Sequence, residues 1–283
     1  MPVQKLNVKM DAIVNDASAT LLARAYIDKS TRLALVLGTG LNAAIHLPVS
    51  ILGPGKFGER PRRLHDHAQH VLVNTELSMF GKGILPVTRW DTLLNHMNLL
   101  PDFQPFEQMV GGRYLGEIVR LILVEAVQIA GLFSSGVPDD MYKPYSLCTE
   151  TMAFIEFDDT SNLEVARARF AIKHPSHHPL SIGDIRFIQR VCRLVSKRAA
   201  ALVATGLHAL WRLGNAAESH ASSQAGRLSI GCNGSVIEKY PGFKSTVQFH
   251  LDTLTEMSGG TPYSVVLEPA VESALLGAAV AIG

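Results

Sequence analysis

Short apolar runs separated by turn residues mark the first third of the chain. Residues 6–14, 32–37 and 70–74 are rich in valine and leucine and end at polar or glycine residues, a pattern typical of buried β-strands. Between the first two runs, residues 19–27 carry apolar side chains at helical spacing. This order of strand and helix predicts an α/β layer fold.

Longer helices are predicted further along. Residues 114–127 form an apolar stripe of helical period after a Gly-Gly pair. Ser181 followed by Asp184 is typical of a helix N-terminus, and one buried face is predicted after it, formed by Ile185, Ile188, Val191, Cys192, Val195, Ala199 and Leu202. Residues 274–282 favour a helix of small residues that packs closely on another element.

The C-terminal third also contains a predicted strand pair. Residues 227–230 and 236–237 flank a Cys-Asn-Gly-Ser turn. Loops are predicted at residues 50–69, 134–144 and 174–179. Because the chain has no internal repeat and no clear domain boundary, we expect a single large domain over residues 1–283.

Composition narrows the class of protein. The chain has 283 residues with 26 Lys and Arg against 25 Asp and Glu, and so balanced a charge argues against a nucleic-acid or anionic membrane surface. Residues 114–133 contain Glu117, Arg120 and Glu125, which exclude a membrane span. Three scattered cysteines and the lack of an N-terminal apolar stretch predict a soluble, cytoplasmic protein. Its partner is then a small molecule or another protein.

Two segments suggest phosphate chemistry. Asp16 lies at the start of a predicted helix, where its carboxylate can accept a proton from a bound hydroxyl; the alternative is a helix N-cap. Gly38, Thr39 and Gly40 directly follow a predicted strand, and such a turn can approach an anion closely. Taken alone, the same turn is more often purely structural.

Further polar candidates suit the recognition of hydroxyl groups. Asn42, Glu76 and Glu107 lie near predicted strand or helix ends, and carboxylates form strong hydrogen bonds with hydroxyls. Each could instead hold a turn or face solvent. The histidines at 174, 177 and 178 resemble a metal site only in composition, so no metal site is predicted.

Taken in order, these segments resemble the hexokinase family. The family segment VNDTVGT corresponds to residues 14–20 (VNDASAT), LGTGTNA to 37–43 (LGTGLNA) and NTEWGAFG to 74–81 (NTELSMFG). The most specific match is FEKMISGMYLGEIVR with residues 106–120 (FEQMVGGRYLGEIVR). Residues 191–200 (VCRLVSKRAA) and 231–243 (GCNGSVIEKYPGF) resemble the family's long helix and adenosine segment.

The resemblance implies a fold and a set of roles. The fold would be the actin-like, ribonuclease-H-like large domain of hexokinase, a mixed sheet flanked by helices. Asp16 would act as the base for the 6-hydroxyl of a hexose or hexosamine, and ATP with Mg²⁺ would supply the phosphoryl group. The sugar would be held by Asn15, Asn42, Glu76 and Glu107. The nucleotide would lie against Gly38, Thr39, Gly40, Gly234 and Ser235.

Departures from the family pattern leave alternatives open. The family's small lobe, with its first phosphate loop, is expected to be missing, which would impair catalysis because lobe closure completes the site. Ala17 and Ala19 replace Thr and Gly, and residues 272–279 (ESALLGAA) stand where DGSGKGAAL is expected. A non-catalytic regulator that acts through a protein partner, with a nuclear location possible, is therefore the second hypothesis. An actin-like ATP-binding relative is the third.

Overall fold

Five strands form one mixed sheet in this computed structural model, which describes residues 9–56, 68–134, 136–218 and 227–283. The strands are β1 Thr31–Leu37, β2 Leu41–Pro48, β3 His70–Asn74, β4 Leu228–Asn233 and β5 Val265–Pro269. The helices are α1 Asp16–Ile27, α2 Arg89–Met97, α3 Pro105–Val110, α4 Gly112–Ala130, α5 Thr149–Glu156, α6 Glu164–Lys173, α7 Ile182–Glu218, α8 Ser235–Lys239, α9 Phe243–Met257 and α10 Ser273–Ile282. Single 3₁₀ turns lie at Val49–Ile51, Pro54–Lys56 and Leu77–Met79.

The direction of the strands creates one functional edge. The sheet order is β3-β2-β1-β4-β5, and β1 pairs parallel with β4, and β4 with β5, whereas β2 is antiparallel to both β1 and β3. Four strands therefore end, and β2 begins, at the same edge. Ligands of open α/β sheets bind outside the carboxyl ends of the strands, so this edge is where a site is expected.

Alternating side chains of the sheet pack against two helical layers. Leu33, Leu35 and Leu37 join the main buried core with α7 and α9, whereas Ala34 packs with α1 on the opposite face. This alternation follows the period of two along a strand. Burial of each apolar side chain contributes about 1.5–3 kcal/mol, so the central strand holds both layers in place.

The charges within the apolar stripe of α4 form a buried ion pair. Arg120 donates two hydrogen bonds to Glu117, at 2.7 Å from Nε and 2.6 Å from Nη2, and a third to the Met141 carbonyl at 2.9 Å. Glu117 also accepts the Tyr145 backbone N–H at 2.6 Å. Both side chains are buried, and their opposite charges pair with each other. The bonds to Met141 and Tyr145 connect α4 to the loop before α5.

Most predicted elements are confirmed. The strands at residues 32–37 and 70–74 and the helices at 19–27, 114–127 and 274–282 are present. The helix predicted after Ser181 extends to Glu218, and Ser181 and Asp184 form the expected reciprocal cap, with the Asp184 N–H donating to Ser181 Oγ at 3.0 Å. Of the predicted loop 50–69, residues 57–67 lie outside the described residues. All three cysteines are unpaired.

Two predicted strands are wrong. Residues 9–14 have no regular secondary structure and are largely exposed, and no strand of the described sheet pairs with them. Residues 6–8 lie outside the described part. Val236 and Ile237 are buried, but within α8 rather than in a strand. A short apolar run does not distinguish a strand from one buried helical turn.

Candidate active site

The Gly38–Gly40 turn joins β1 to β2 and is fixed against the start of α4. The Gly38 N–H donates to the Gly40 carbonyl at 3.0 Å, the Gly112 N–H to the Gly38 carbonyl at 2.8 Å, and the Arg113 N–H to the Thr39 carbonyl at 3.0 Å. A Cβ atom at Gly112 would lie 2.7 Å from the Gly38 oxygen. Glycine at position 112 therefore permits this close approach.

The end of β4 lies directly beside this turn. Gly234 has a φ of 120°, and a Cβ atom there would lie 2.4 Å from the Leu37 carbonyl oxygen. A Cβ atom at Gly38 would contact the Ser235 nitrogen at 3.4 Å. The parallel pairing of β1 and β4 thus brings together two segments that are almost 200 residues apart in the chain.

A cavity of about 570 Å³ opens between this turn, α5 and α8. Three of the five predicted nucleotide residues line it, namely Gly38, Thr39 and Ser235, whereas Gly40 and Gly234 do not belong to its lining. The cavity is also lined by residues that were not predicted as site residues from the sequence: Arg113, Thr149, Glu150, Phe154, Lys239 and Tyr240. Arg113 and Lys239 bring positive charge to a cavity with the size of a small-molecule site.

A chain of hydrogen bonds links polar side chains at the start of β2 and the end of β3. Asn42 Nδ2 donates to Asn74 Oδ1 at 2.9 Å, and Asn74 Nδ2 donates to Glu76 Oε1 at 2.7 Å. Asn74 was not predicted as a site residue, although it precedes Thr-Glu in the matched motif. Glu76 adopts a left-handed backbone conformation, with φ 49°, and such strain in a non-glycine residue is concentrated at functional sites.

Glu107, in the first turn of α3, forms the other wall of this polar cluster. Its Oε2 accepts the Leu41 backbone N–H at 2.8 Å, and a Cβ atom at Gly40 would lie 2.3 Å from the same oxygen. Burial raises the pKa of Glu107; the Leu41 N–H lowers it, and the negative charge of Glu76 raises it further. The two carboxylates therefore interact electrostatically. Gln104, also left-handed at φ 53°, lies one turn before Glu107.

Asp16 is the first residue of α1, and Asn15 is its N-cap. Asn15 Oδ1 accepts the N–H groups of Ala17 at 3.0 Å and Ser18 at 3.3 Å, and Asp16 Oδ1 accepts the Ala17 N–H at 2.8 Å. The alternative role of Asp16 as the N-cap is therefore wrong. Its exposed carboxylate lies at the positive end of the helix dipole.

The orientation of α1 places Asp16 at the functional edge. Near the opposite end of α1, Asp28 interacts with Ser229 at the start of β4, and Thr20 and Arg24 pack over Gly231 in the middle of that strand. The helix therefore runs against β4, and its N-terminus points to the edge that carries Gly38 and Ser235. All ten predicted site residues belong to this edge or to the helix turn that faces it.

The described residues contain no group of three His, Cys, Asp or Glu side chains arranged to hold a metal ion. Of the three clustered histidines, His174 is buried, and its Nδ1 lies 2.9 Å from Asp140 Oδ2. No helix in the described ranges is long and apolar enough to cross a membrane.

Comparison with known proteins identifies the family to which this fold and site belong. A family described as Hexokinase matches residues 32–283. The chain therefore belongs to the hexokinase family, and its α/β fold is that of a hexokinase domain.

Individual relatives give the same result. Hexokinase-5 of Oryza sativa subsp. japonica is 33% identical over 282 residues, which is 99% of this chain and 54% of that protein. Hexokinase-1 of Schizosaccharomyces pombe is 30% identical over 280 residues, 96% of this chain and 53% of that protein. The structure of a hexokinase from Schistosoma mansoni complexed with glucose superimposes with a TM-score of 0.83 at 28% identity, covering 98% of this chain and 59% of that one. The chain thus spans about half the length of the relatives it matches.

Proposed function

We propose that the protein is an ATP-dependent kinase that phosphorylates the 6-hydroxyl of a hexose or hexosamine. One observation carries this proposal: a single turn serves two neighbouring sites. Gly38 and Thr39 line the 570 Å³ cavity, and Gly40 packs on Glu107 of the polar cluster. A phosphate chain bound in the cavity then points its end towards hydroxyl groups bound at the cluster.

The polar cluster supplies the groups that a sugar needs. Glu76 and Glu107 accept hydrogen bonds from hydroxyls with charge-assisted strength, and Asn42 and Asn74 fix the position of Glu76. Because the Asn15 oxygen caps α1, its amide nitrogen is the group proposed to donate to the sugar. Such positioning of reactants is a large part of phosphoryl-transfer catalysis.

Asp16 is proposed as the general base. Its carboxylate takes the proton from the 6-hydroxyl as that oxygen bonds to the γ-phosphorus of ATP. The bond between this phosphorus and the β–γ bridging oxygen breaks, and ADP leaves. Arg113 and Lys239 are proposed to neutralise phosphate charge from the cavity wall. Mg²⁺ would supply further neutralisation of the phosphate charge.

Replacing Asp16 with Asn tests the assignment of the base. Glucose-dependent ADP release by the protein from its source cells should fall about 10²–10⁴-fold, which is the contribution of a positioned general base. The affinity for glucose, measured by calorimetry, should stay within a few-fold of the wild type. Asp11→Asn is the matched control, because Asp11 is an exposed carboxylate paired with Lys9 at 2.6 Å and has no proposed role in the reaction, so its loss should leave turnover unchanged. Retained turnover in Asp16→Asn would overturn the assignment.

A non-catalytic regulator is the second candidate. It is favoured by Glu272, a left-handed residue with φ 50° in the segment that departs from the family's glycine-containing stretch. Glucose binding by the protein from its source cells without any glucose-dependent ADP release would favour this role over the kinase. The protein would then act by binding a protein partner.

A further inference from the structure

A second, larger cavity lies between the sheet and α7, away from the nucleotide cavity. Its volume is about 800 Å³, within the range of small-molecule sites. Its walls come from β2, β3, α7 and the segments around Leu52 and Phe80. Almost all of the described wall residues are apolar, among them Leu47, Val73, Phe106 and Leu210, and Lys56 is the one charged residue of the described lining.

Lys56 and Phe106 belong to different parts of the cavity wall. Lys56 belongs to the turns that follow β2, and the end of β2 pairs with the start of β3 at His70. Within the α7 part of the wall, Gly206 abuts Phe106, since a Cβ atom at Gly206 would lie 2.9 Å from the Phe106 ring. The wall along β3 from Val71 to Thr75 is about 13 Å long. The lining of α7 extends over about 17 Å.

The apolar lining and the charge of Lys56 favour a particular class of ligand. A peptide would bring backbone N–H and C=O groups against apolar walls, where each group without a partner costs free energy. An alkyl chain has no such groups, and each buried methylene contributes about 0.8 kcal/mol. A single carboxylate at the end of that chain matches the single ammonium group of Lys56.

We propose that this cavity binds a long-chain alkyl carboxylate, with the carboxylate at Lys56 and the chain running along α7 towards Phe106. The ligand is neither the sugar nor the nucleotide of the proposed reaction. Its chain end would lie beside Phe106 and Asn74, which neighbour Glu107 and Glu76 of the polar cluster.

Calorimetric titration of the 283-residue chain with octanoate, decanoate and dodecanoate tests the proposal. Each added methylene should tighten binding about fourfold. Dodecanol, which has no charge, should bind about tenfold more weakly than dodecanoate. Lys56→Gln should remove this difference between the two ligands. The matched control Lys29→Gln changes a lysine that lies over Tyr26, outside the cavity lining, and should preserve the difference.

Filling the cavity provides an independent variant. Ala209 lines the cavity from an exposed position of α7, so Ala209→Trp should abolish dodecanoate binding while the thermal unfolding transition is retained. If that variant does not fold, the chain-length series and Lys56→Gln decide the question. The proposal is overturned if dodecanoate does not saturate the wild type, if affinity does not depend on chain length, or if Lys56→Gln behaves as Lys29→Gln does.

Discussion

Glu107 meets two opposing requirements. In its proposed role, Glu107 accepts charge-assisted hydrogen bonds from sugar hydroxyls and must be ionised. Burial nevertheless raises its pKa; the Leu41 N–H lowers the pKa, and the charge of Glu76 raises it further. A raised pKa means that Glu107 takes up a proton at a pH where an ordinary glutamate is still ionised. Its contribution to folding stability is present at low pH and is lost as the pH rises through its folded pKa. The ionised carboxylate is thus held at some expense of stability.

Glu76→Gln should therefore lower the pKa of Glu107, because it removes the neighbouring negative charge. The titration midpoint of Glu107, measured from its carboxyl ¹³C chemical shift in NMR titrations without sugar, should move to lower pH. In the wild type, glucose affinity should weaken on acidification as Glu107 is protonated. Glu164→Gln, at an exposed position of α6, is the control and should leave the midpoint in place. An unchanged or higher midpoint in Glu76→Gln would contradict the electrostatic effect of Glu76 on Glu107.

Glu272 adopts a strained backbone conformation at the start of the segment that departs from the family pattern. It precedes α10 with φ 50° and ψ 30°, a left-handed conformation that is unfavourable for residues other than glycine. Glu272→Gly should therefore raise the free energy of unfolding by about 1 kcal/mol, measured by urea denaturation. Glu272→Ala removes the charge and keeps the strained conformation, so it should give no gain. If Glu272→Gly and Glu272→Ala raise the free energy of unfolding equally, the gain comes from removal of the charge and not from relief of backbone strain.

Individual candidate residues can be proposed from the sequence, but their contacts with one another cannot. Asp16, Glu76 and Glu107 could be proposed because each carries its own chemistry within a matched motif. Asn74 was missed because its role depends on the pairing of β2 with β3, which brings it 2.9 Å from Asn42. Arg113 was missed because only the packing of α4 on the Gly38–Gly40 turn makes it part of a cavity wall. Long-range pairing of this kind leaves no local signal.

Helices were predicted more reliably than short strands. The faces of α4 and α7 repeat over many turns, so one irregular residue does not hide the period. Residues 9–14 and 236–237 are short, and their state depends on whether a strand lies beside them. No described strand pairs with residues 9–14, whereas residues 236–237 pack into the core as part of α8.

The contact between α1 and α10 depends on one glycine. A Cβ atom at Gly277 would lie 2.0 Å from the Ala19 carbonyl oxygen, so Gly277→Ala must push α10 away from α1. We expect a loss of about 1–3 kcal/mol, the usual cost of overpacking, and a lower thermal unfolding midpoint. Gly183→Ala makes the same change in α7, where the contact is Ser181 Oγ at 3.6 Å, and should stabilise by about 0.4–1 kcal/mol. A loss of the same size in both would show that helix packing is not the cause.

The whole domain is held together along α7. This helix contacts β2 of the sheet, α9 on one side, and α3, α4 and α5 on others. Its Arg198 forms two hydrogen bonds to Asp91 of α2, at 2.7 and 2.8 Å. Asp91 also completes the N-terminal capping box of α2 with Thr88. One buried carboxylate thus connects the segment after the polar cluster to the central helix.

The titration of Asp91 should therefore affect the stability of the entire domain. Burial opposes its ionisation, but the hydrogen bonds and charge of Arg198, with the bonds from Thr88, outweigh burial and lower its pKa. A lowered pKa gives stability that is present above the unfolded pKa of about 3.9 and is lost as the pH falls through the folded value. The free energy of unfolding, from urea titrations between pH 5 and pH 3, should fall in the wild type.

Asp91→Asn should lower the free energy of unfolding by about 3–5 kcal/mol at pH 5, because it leaves Arg198 without its carboxylate, and should flatten the further loss towards pH 3. Asp102 is the matched control, since its pKa is lowered by Lys82 and Asn95 at the surface, and exposed ion pairs contribute little. Asp102→Asn should therefore leave both the stability at pH 5 and its acid dependence close to the wild type. If Asp91→Asn loses stability on acidification as steeply as the wild type, the Asp91–Arg198 pair does not govern the acid stability of this domain.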